Sequence, residues 1–117
     1  MKIIIAGGRS YVPDSKAEMW LISKLKELKC TQIICGCATG ADEFGKQIGY
    51  KFDIDVYFCP PNWEHYGKKA GYIRNVQMAK LADMVILFPG GKGTQHMYNI
   101  AIDNNLPVIE YEVDILK

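Results

Sequence analysis

The sequence predicts an α/β fold with a five-stranded, mostly parallel sheet and helices on both faces. Two observations carry that expectation. Short apolar runs at residues 3–6, 32–35, 55–59, 84–88 and 107–111 alternate with stretches of helical periodicity, as in strands buried on both faces and joined by crossover helices. Small-residue or aromatic loops follow four of these runs, at 7–9, 36–42, 61–63 and 90–94. In such sheets ligands bind outside the carboxyl ends of the strands, near the switch in strand order.

Taken in order, Ile3-Ile4-Ile5-Ala6 is the first strand, ended by Gly7-Gly8 and followed by Arg9. Asp14 or Ser15 starts a helix, with Ser15-x-x-Glu18 fitting a capping box. Ala17, Leu21, Leu25 and Leu28 form its inner face, and Trp20 is read as a packing residue or subunit contact. The second strand, Gln32–Cys35, leads through Gly36, Thr39 and Gly40 into a helix carrying Asp42, Glu43, Phe44 and Ile48. Asp42 either favours the positive end of that helix or holds a ribose hydroxyl or a water. Pro60-Pro61 stop the third strand, and 62–68 reads as an irregular loop rich in Trp63, His65 and Tyr66. Trp63 covers a core edge or stacks a base or sugar.

Residues 69–94 form the central unit: helix, buried strand, then Pro89-Gly90-Gly91-Lys92-Gly93-Thr94 opening another helix. Gly90, Gly91 and Gly93 let backbone approach a ligand, and Thr94 is the expected cap. Free N–H groups at a helix start seat phosphate or carboxylate. Arg74 and Asn75, expected at the start of the preceding helix, reach the same space. As a phosphate anchor Arg74 is expected to be unpaired in the fold; as a structural residue it pairs with a carboxylate. A helix over 95–104 with Met97, Ile100 and Ala101 inward, a fifth strand and a short tail over 113–117 complete the chain.

At 117 residues this is one domain. Apolar residues make up 49% and charged residues 23%, which excludes a disordered chain, and a net charge of +1 gives no bulk attraction to a polyanion. The opening apolar run is too short for a signal peptide and no stretch approaches a membrane span, so a cytoplasmic protein is expected. Cys30, Cys35, Cys37 and Cys59 are expected as reduced thiols. Cys35-x-Cys37 with Cys59 and His96 lacks structural-zinc spacing, so no metal is expected. The two histidines have no nucleophile partner recognisable in the sequence, which leaves a hydrolytic triad unsupported.

Six segments in this order look familiar: GGR at 7–9, GxATGAD at 36–42, PxxW at 60–63, GKKAGxxRNxxM at 67–78, AD at 82–83 and PGGKGT at 89–94. On them the chain resembles the SLOG superfamily of Rossmann-like proteins, specifically its small YspA/cpYpsA-related branch, over nearly its whole length. The resemblance implies a single Rossmann-like domain over 1–117 with a nucleotide-type pocket, in a branch that occurs in phages, mobile elements and bacterial genomes.

Two relatives extend it. The "lonely guy" phosphoribohydrolases carry a similar arginine, methionine and PGGxGTxxE, but their catalytic glutamate falls at Met97, neither acid nor base. DNA-processing protein A carries a similar GxAxGID turn and RN pair, yet the near-neutral charge leaves little basic groove for a strand.

The expected function is binding of a nucleotide-derived ligand, a nucleoside phosphate or ADP-ribose-like molecule, as a sensor or sequestering protein. Gly8, Arg9, Gly36, Thr39, Gly40, Asp42, Trp63, Arg74, Asn75, Gly90, Gly91, Gly93 and Thr94 are its candidate site, without a cofactor and with homo-oligomers possible. The alternative is a hydrolase of an N-glycosidic or phosphate bond in such a ligand, with Asp42, Glu43 and Arg74 as catalytic candidates. Single-stranded nucleic-acid binding ranks third.

Overall fold

The structure is a computed structural model that describes residues 1–112; the tail expected over 113–117 lies outside them. Five strands, β1 (Lys2–Ala6), β2 (Gln32–Cys35), β3 (Asp55–Phe58), β4 (Met84–Leu87) and β5 (Val108–Glu110), form one sheet in the order β3-β2-β1-β4-β5. Every pairing is parallel, so the architecture is the expected α/β one. β1 lies between β2 and β4, with Ile4 opposite Ile34 on one side and Val85 on the other.

Alternation along the strands divides the core in two. Ile3, Ile5, Ile33 and Ile86 face α1 (Ser15–Glu27) and α2 (Ala41–Lys51), meeting Leu21, Leu25, Phe44 and Ile48. Ile4, Ile34, Val85 and Leu87 face α4 (Ala70–Leu81) and α5 (Lys92–Asp103), meeting Met78, Met97 and Ile100. Burial on both faces is what the continuous apolar runs of a parallel sheet require. Trp20 packs 5.8 Å from Phe88 and 4.8 Å from Tyr111, ring centre to ring centre. Among the described residues, no helix is long and apolar enough to cross a membrane.

Local structure corrects the sequence at several points. Asp14, not Ser15, caps α1: its carboxylate accepts from the Ala17 N–H at 2.8 Å, and Ser15 is the first helical residue. The stretch expected as an irregular loop contains α3 (Trp63–Tyr66) and a 3₁₀ turn (Gly67–Lys69), because the Asn62 side chain accepts from the His65 N–H at 3.1 Å and nucleates a turn. Thr94 is not a cap; α5 starts earlier, with Gly91 at its N-cap and no side-chain cap. Arg74 and Asn75 lie one turn into α4 rather than at its start.

The first turn of α2 is tied to the first loop of the sheet: the Ala41 N–H donates to the Gly8 carbonyl at 3.1 Å. Gly40, which precedes it, has φ of +71° and packs so closely that a Cβ would collide with that same Gly8 carbonyl oxygen. Gly40→Ala is therefore expected to lower stability by at least about 2 kcal/mol in urea denaturation. Gly93→Ala, inside the first turn of α5 where a Cβ meets nothing, is expected to cost nothing and to gain up to about 1 kcal/mol from helix propensity. Equal losses in the two variants would contradict this account of the loop.

Candidate functional site

The switch in strand order falls between β1 and β4, because the chain runs outward from β1 to β2 and β3 and then returns to β4. The loops leaving these two strands are bonded together, with the Phe88 N–H donating to the Ala6 carbonyl and the Gly8 N–H to the Pro89 carbonyl, both at 2.8 Å. Beyond them opens a cleft of about 370 Å³, within the range of small-molecule sites.

One wall is the start of α5. Gly91, Lys92, Gly93 and Thr94 line the cleft, and the first N–H bonded within this turn is that of Gln95, to the Gly91 carbonyl at 3.0 Å. The N–H groups of Lys92, Gly93 and Thr94 have no acceptor among the described residues. Three free donors at the positive end of a twelve-residue helix are an anion seat.

The opposite wall is α4, whose spacing puts Gly71, Arg74, Asn75 and Met78 on one face, all lining the cleft. Arg74 is only 9% exposed. Its Nη1 donates to the Gly36 carbonyl, and its Nε to Asn75 Oδ1 at 3.0 Å. Arg74 is thus neither the unpaired anchor nor the carboxylate-paired residue the sequence offered: its internal partners are a carbonyl and an amide. Its Nη2 has no hydrogen-bond partner among the described residues, and none of their side-chain nitrogens or oxygens is both buried and unbonded, so Nη2 keeps some exposure on a residue that lines the cleft.

Guanidinium nitrogens only donate. The Nε bond therefore fixes the Asn75 oxygen toward Arg74 and its amide nitrogen toward His96 Nδ1, 3.1 Å away. His96 must then accept at Nδ1 and, when neutral, carry its proton on Nε2. Burial lowers the pKa of His96 below its ordinary value. Its ring meets Tyr72 edge-on at 4.4 Å between centres.

Asp42 is 6% exposed, and its Oδ2 accepts from the Ala38 N–H at 3.1 Å. Burial raises its pKa, outweighing the Ala38 bond and the positive charges of Arg74 and Arg9, which pull it down. Gly36 stands between Asp42 and Arg74: a Cβ there would lie 2.6 Å from Arg74 Nη1 and 2.8 Å from Asp42 Oδ2.

Gly8, Arg9, Asp42, Trp63, Arg74 and Asn75 are brought together at the cleft, as are Gly91, Gly93 and Thr94. Gly36, Thr39, Gly40 and Gly90 are not among the residues lining it. They act from behind: Gly36 supplies the carbonyl for Arg74, the Thr39 hydroxyl donates to the Arg9 carbonyl at 3.0 Å, and Gly90 leaves room for Gly8. Glu43 also lies off the cleft and pairs with Lys46 at 2.7 Å. Sequence reasoning missed Lys68, Tyr72 and Lys92, which line the cleft, and His96 behind them. Lys92 stood inside the PGGKGT motif and was legible there. Met97 is 1% exposed and forms apolar floor with Met78.

Among the described residues, no three His, Cys, Asp or Glu side chains gather in a group able to hold a metal ion. The four thiols are free, and burial pushes that of Cys35 up to about 12.

The Gene 61 protein of Mycobacterium phage D29 is 32% identical to this chain over 87 residues, a match covering 68% of this chain and 70% of that protein. No protein-family model matches the chain, and no solved structure matches it.

The raised pKa of Asp42 has a definite sign in stability. The folded state holds this proton more tightly than the unfolded one, so stability falls as pH climbs from the ordinary value of 3.8 through the folded value, and stays lower above it. Asp42→Asn keeps an oxygen for Ala38 and removes the buried charge. Its melting temperature is expected to exceed the parent's at pH 7, with the difference shrinking as pH falls through the folded value toward 3.8 and smallest below it. A lower melting temperature for the variant at pH 7 would mean that attraction to Arg74 outweighs burial.

Proposed function

The chain belongs to the family of the Gene 61 protein of Mycobacterium phage D29, and from its cleft we propose that it binds a nucleotide-derived ligand, a nucleoside phosphate or ADP-ribose-like molecule, as a sensor or sequestering protein. One observation carries this reading: Arg74, only 9% exposed as a residue and with Nη2 unbonded among the described residues, lines the cleft together with Lys92, Gly93 and Thr94, whose N–H groups are also unbonded. Among the described residues, no carboxylate lies within 4.0 Å of Arg74. A desolvated cation is costly without a partner, and a ligand phosphate supplies both the charge and acceptors for its planar fork. Asp42 accepts from a ribose hydroxyl, and Trp63 offers an aromatic surface at the same cleft. Membership of the YspA/cpYpsA-related SLOG branch is part of the proposal, and a phage relative agrees with where that branch occurs.

A second reading, hydrolysis of such a ligand, is favoured by Asp42. A buried carboxyl with a raised pKa retains a proton further toward neutral pH and can give it to a leaving group as a general acid. Arg74 would then steady the departing phosphate. The mechanism is not that of the phosphoribohydrolases, since Met97 is apolar floor.

Thermal-shift and calorimetric screening across nucleotides tests the binding reading. At least one phosphorylated nucleoside is expected to stabilise the protein, by about 2.7 kcal/mol at a hundred times its Kd. Arg74→Ala is expected to weaken binding by about 1.5–3 kcal/mol, and also to lower the melting temperature, because it breaks the bonds to Gly36 and Asn75. Gly93→Ala adds a methyl group at the cleft without touching the core, and is expected to weaken binding with the melting temperature kept or raised. No stabilisation by any phosphorylated nucleoside would overturn the reading. Chromatography of the incubated nucleotides separates the two: an unaltered ligand supports binding alone, and a product whose formation Asp42→Asn abolishes supports hydrolysis.

A further inference from the structure

The charge at the cleft is out of proportion to the charge of the chain. The whole sequence carries +1, yet Arg9, Lys68, Arg74 and Lys92 line the cleft against a single carboxylate, Asp42. Elsewhere three lysines are paired, Lys24 with Glu27 at 3.3 Å, Lys46 with Glu43 at 2.7 Å and Lys51 with Glu18 at 3.0 Å. Arg9, Lys68 and Lys92 have no carboxylate within 4.0 Å among the described residues. They come from three separate segments, namely the loop after β1, the 3₁₀ turn before α4 and the first residue of α5. The fold, and not local sequence, gathers them.

Like charges converging without partners repel one another, which costs stability unless a ligand neutralises them. A monophosphate brings at most about two negative charges, and Arg74 with the start of α5 already accounts for one such group. Beside them, Trp63 and Tyr72 keep 49% and 47% of their surfaces exposed at the same cleft. Aromatic residues this exposed beside an anion seat suit a nucleobase.

We propose that the ligand is a nucleotide with at least two phosphoryl groups. Its base lies against Trp63 and Tyr72, one phosphoryl group against Arg74 Nη2 and the N–H groups of α5, and the next among Arg9, Lys68 and Lys92. This rests on the nucleotide-binding reading and adds the number of phosphates to it. The cleft volume of about 370 Å³ suits a single small molecule.

Calorimetry at one fixed ionic strength with orthophosphate, pyrophosphate, and the mono- and diphosphates of the four ribonucleosides tests it. Pyrophosphate is expected to bind at least about fivefold tighter than orthophosphate, and the best diphosphate at least about fivefold tighter than its monophosphate, roughly the upper worth of one exposed ion pair. Lys92→Ala and Lys68→Ala, both at exposed positions, are expected to weaken the diphosphate several-fold more than the monophosphate. Equal affinity for mono- and diphosphates would overturn the second phosphoryl position and leave the nucleotide reading standing. Equal weakening of both ligands by the lysine variants would overturn the assignment of those residues. A short single-stranded oligonucleotide binding more tightly than every diphosphate would replace this ligand class by nucleic acid. Binding of no phosphate and no nucleotide would overturn the underlying reading itself.

Discussion

The Arg74 guanidinium can only donate, and the residue as a whole is nine-tenths buried. Much of the local architecture follows from satisfying it. Its Nη1 needs the Gly36 carbonyl, and that residue must lack a side chain, because a Cβ would run into both Arg74 and Asp42. Its Nε orients the Asn75 amide, which in turn sets the tautomer of His96. One donor-only group thus ties the end of β2, α4 and, through His96, α5 to one another. Its Nη2 stays unbonded among the described residues, on a side chain whose residue lines the cleft.

The sheet supplies the rest. With β1 and β4 adjacent and the chain diverging from them, their loops cannot both be covered by one crossover helix, and a cleft opens between. Hydrogen bonds between the two loops make it a rigid seam. The uncapped start of α5 forms one wall and the polar face of α4 the other. Asp42 enters from α2 with its pKa raised by burial, so positive and negative groups face the same space from different elements.

The sheet was legible because each strand is a short run rich in β-branched, aromatic or other apolar residues between helical stretches, and Ile3 to Ile5 or Met84 to Leu87 admit little else. The loops at the strand ends were legible as a set. What sequence could not separate was the work of the individual small residues. Gly36, Gly40 and Gly90 read like ligand glycines, yet each makes room for another part of the protein; Gly93 has the same composition signal and faces open space. The distinction lies in distances across the fold, which no local pattern encodes. Lys68, Tyr72 and His96 were missed for the same reason: their neighbours at the site come from other segments. The cap at Asn62 and the early start of α5 turned on single hydrogen bonds and on the lack of one, where propensity is nearly silent.

At the centre of the account stands the claim that Arg74 Nη2 and the N–H groups of Lys92, Gly93 and Thr94 hold the same anion. A crystal structure of the protein grown with pyrophosphate or with its best nucleotide measures this directly. The account predicts a phosphoryl group with oxygens about 3 Å from Arg74 Nη2 and from at least two of those N–H groups. A ligand bound at the aromatic side chains with its phosphates in solvent, or seated away from α5 altogether, would contradict it.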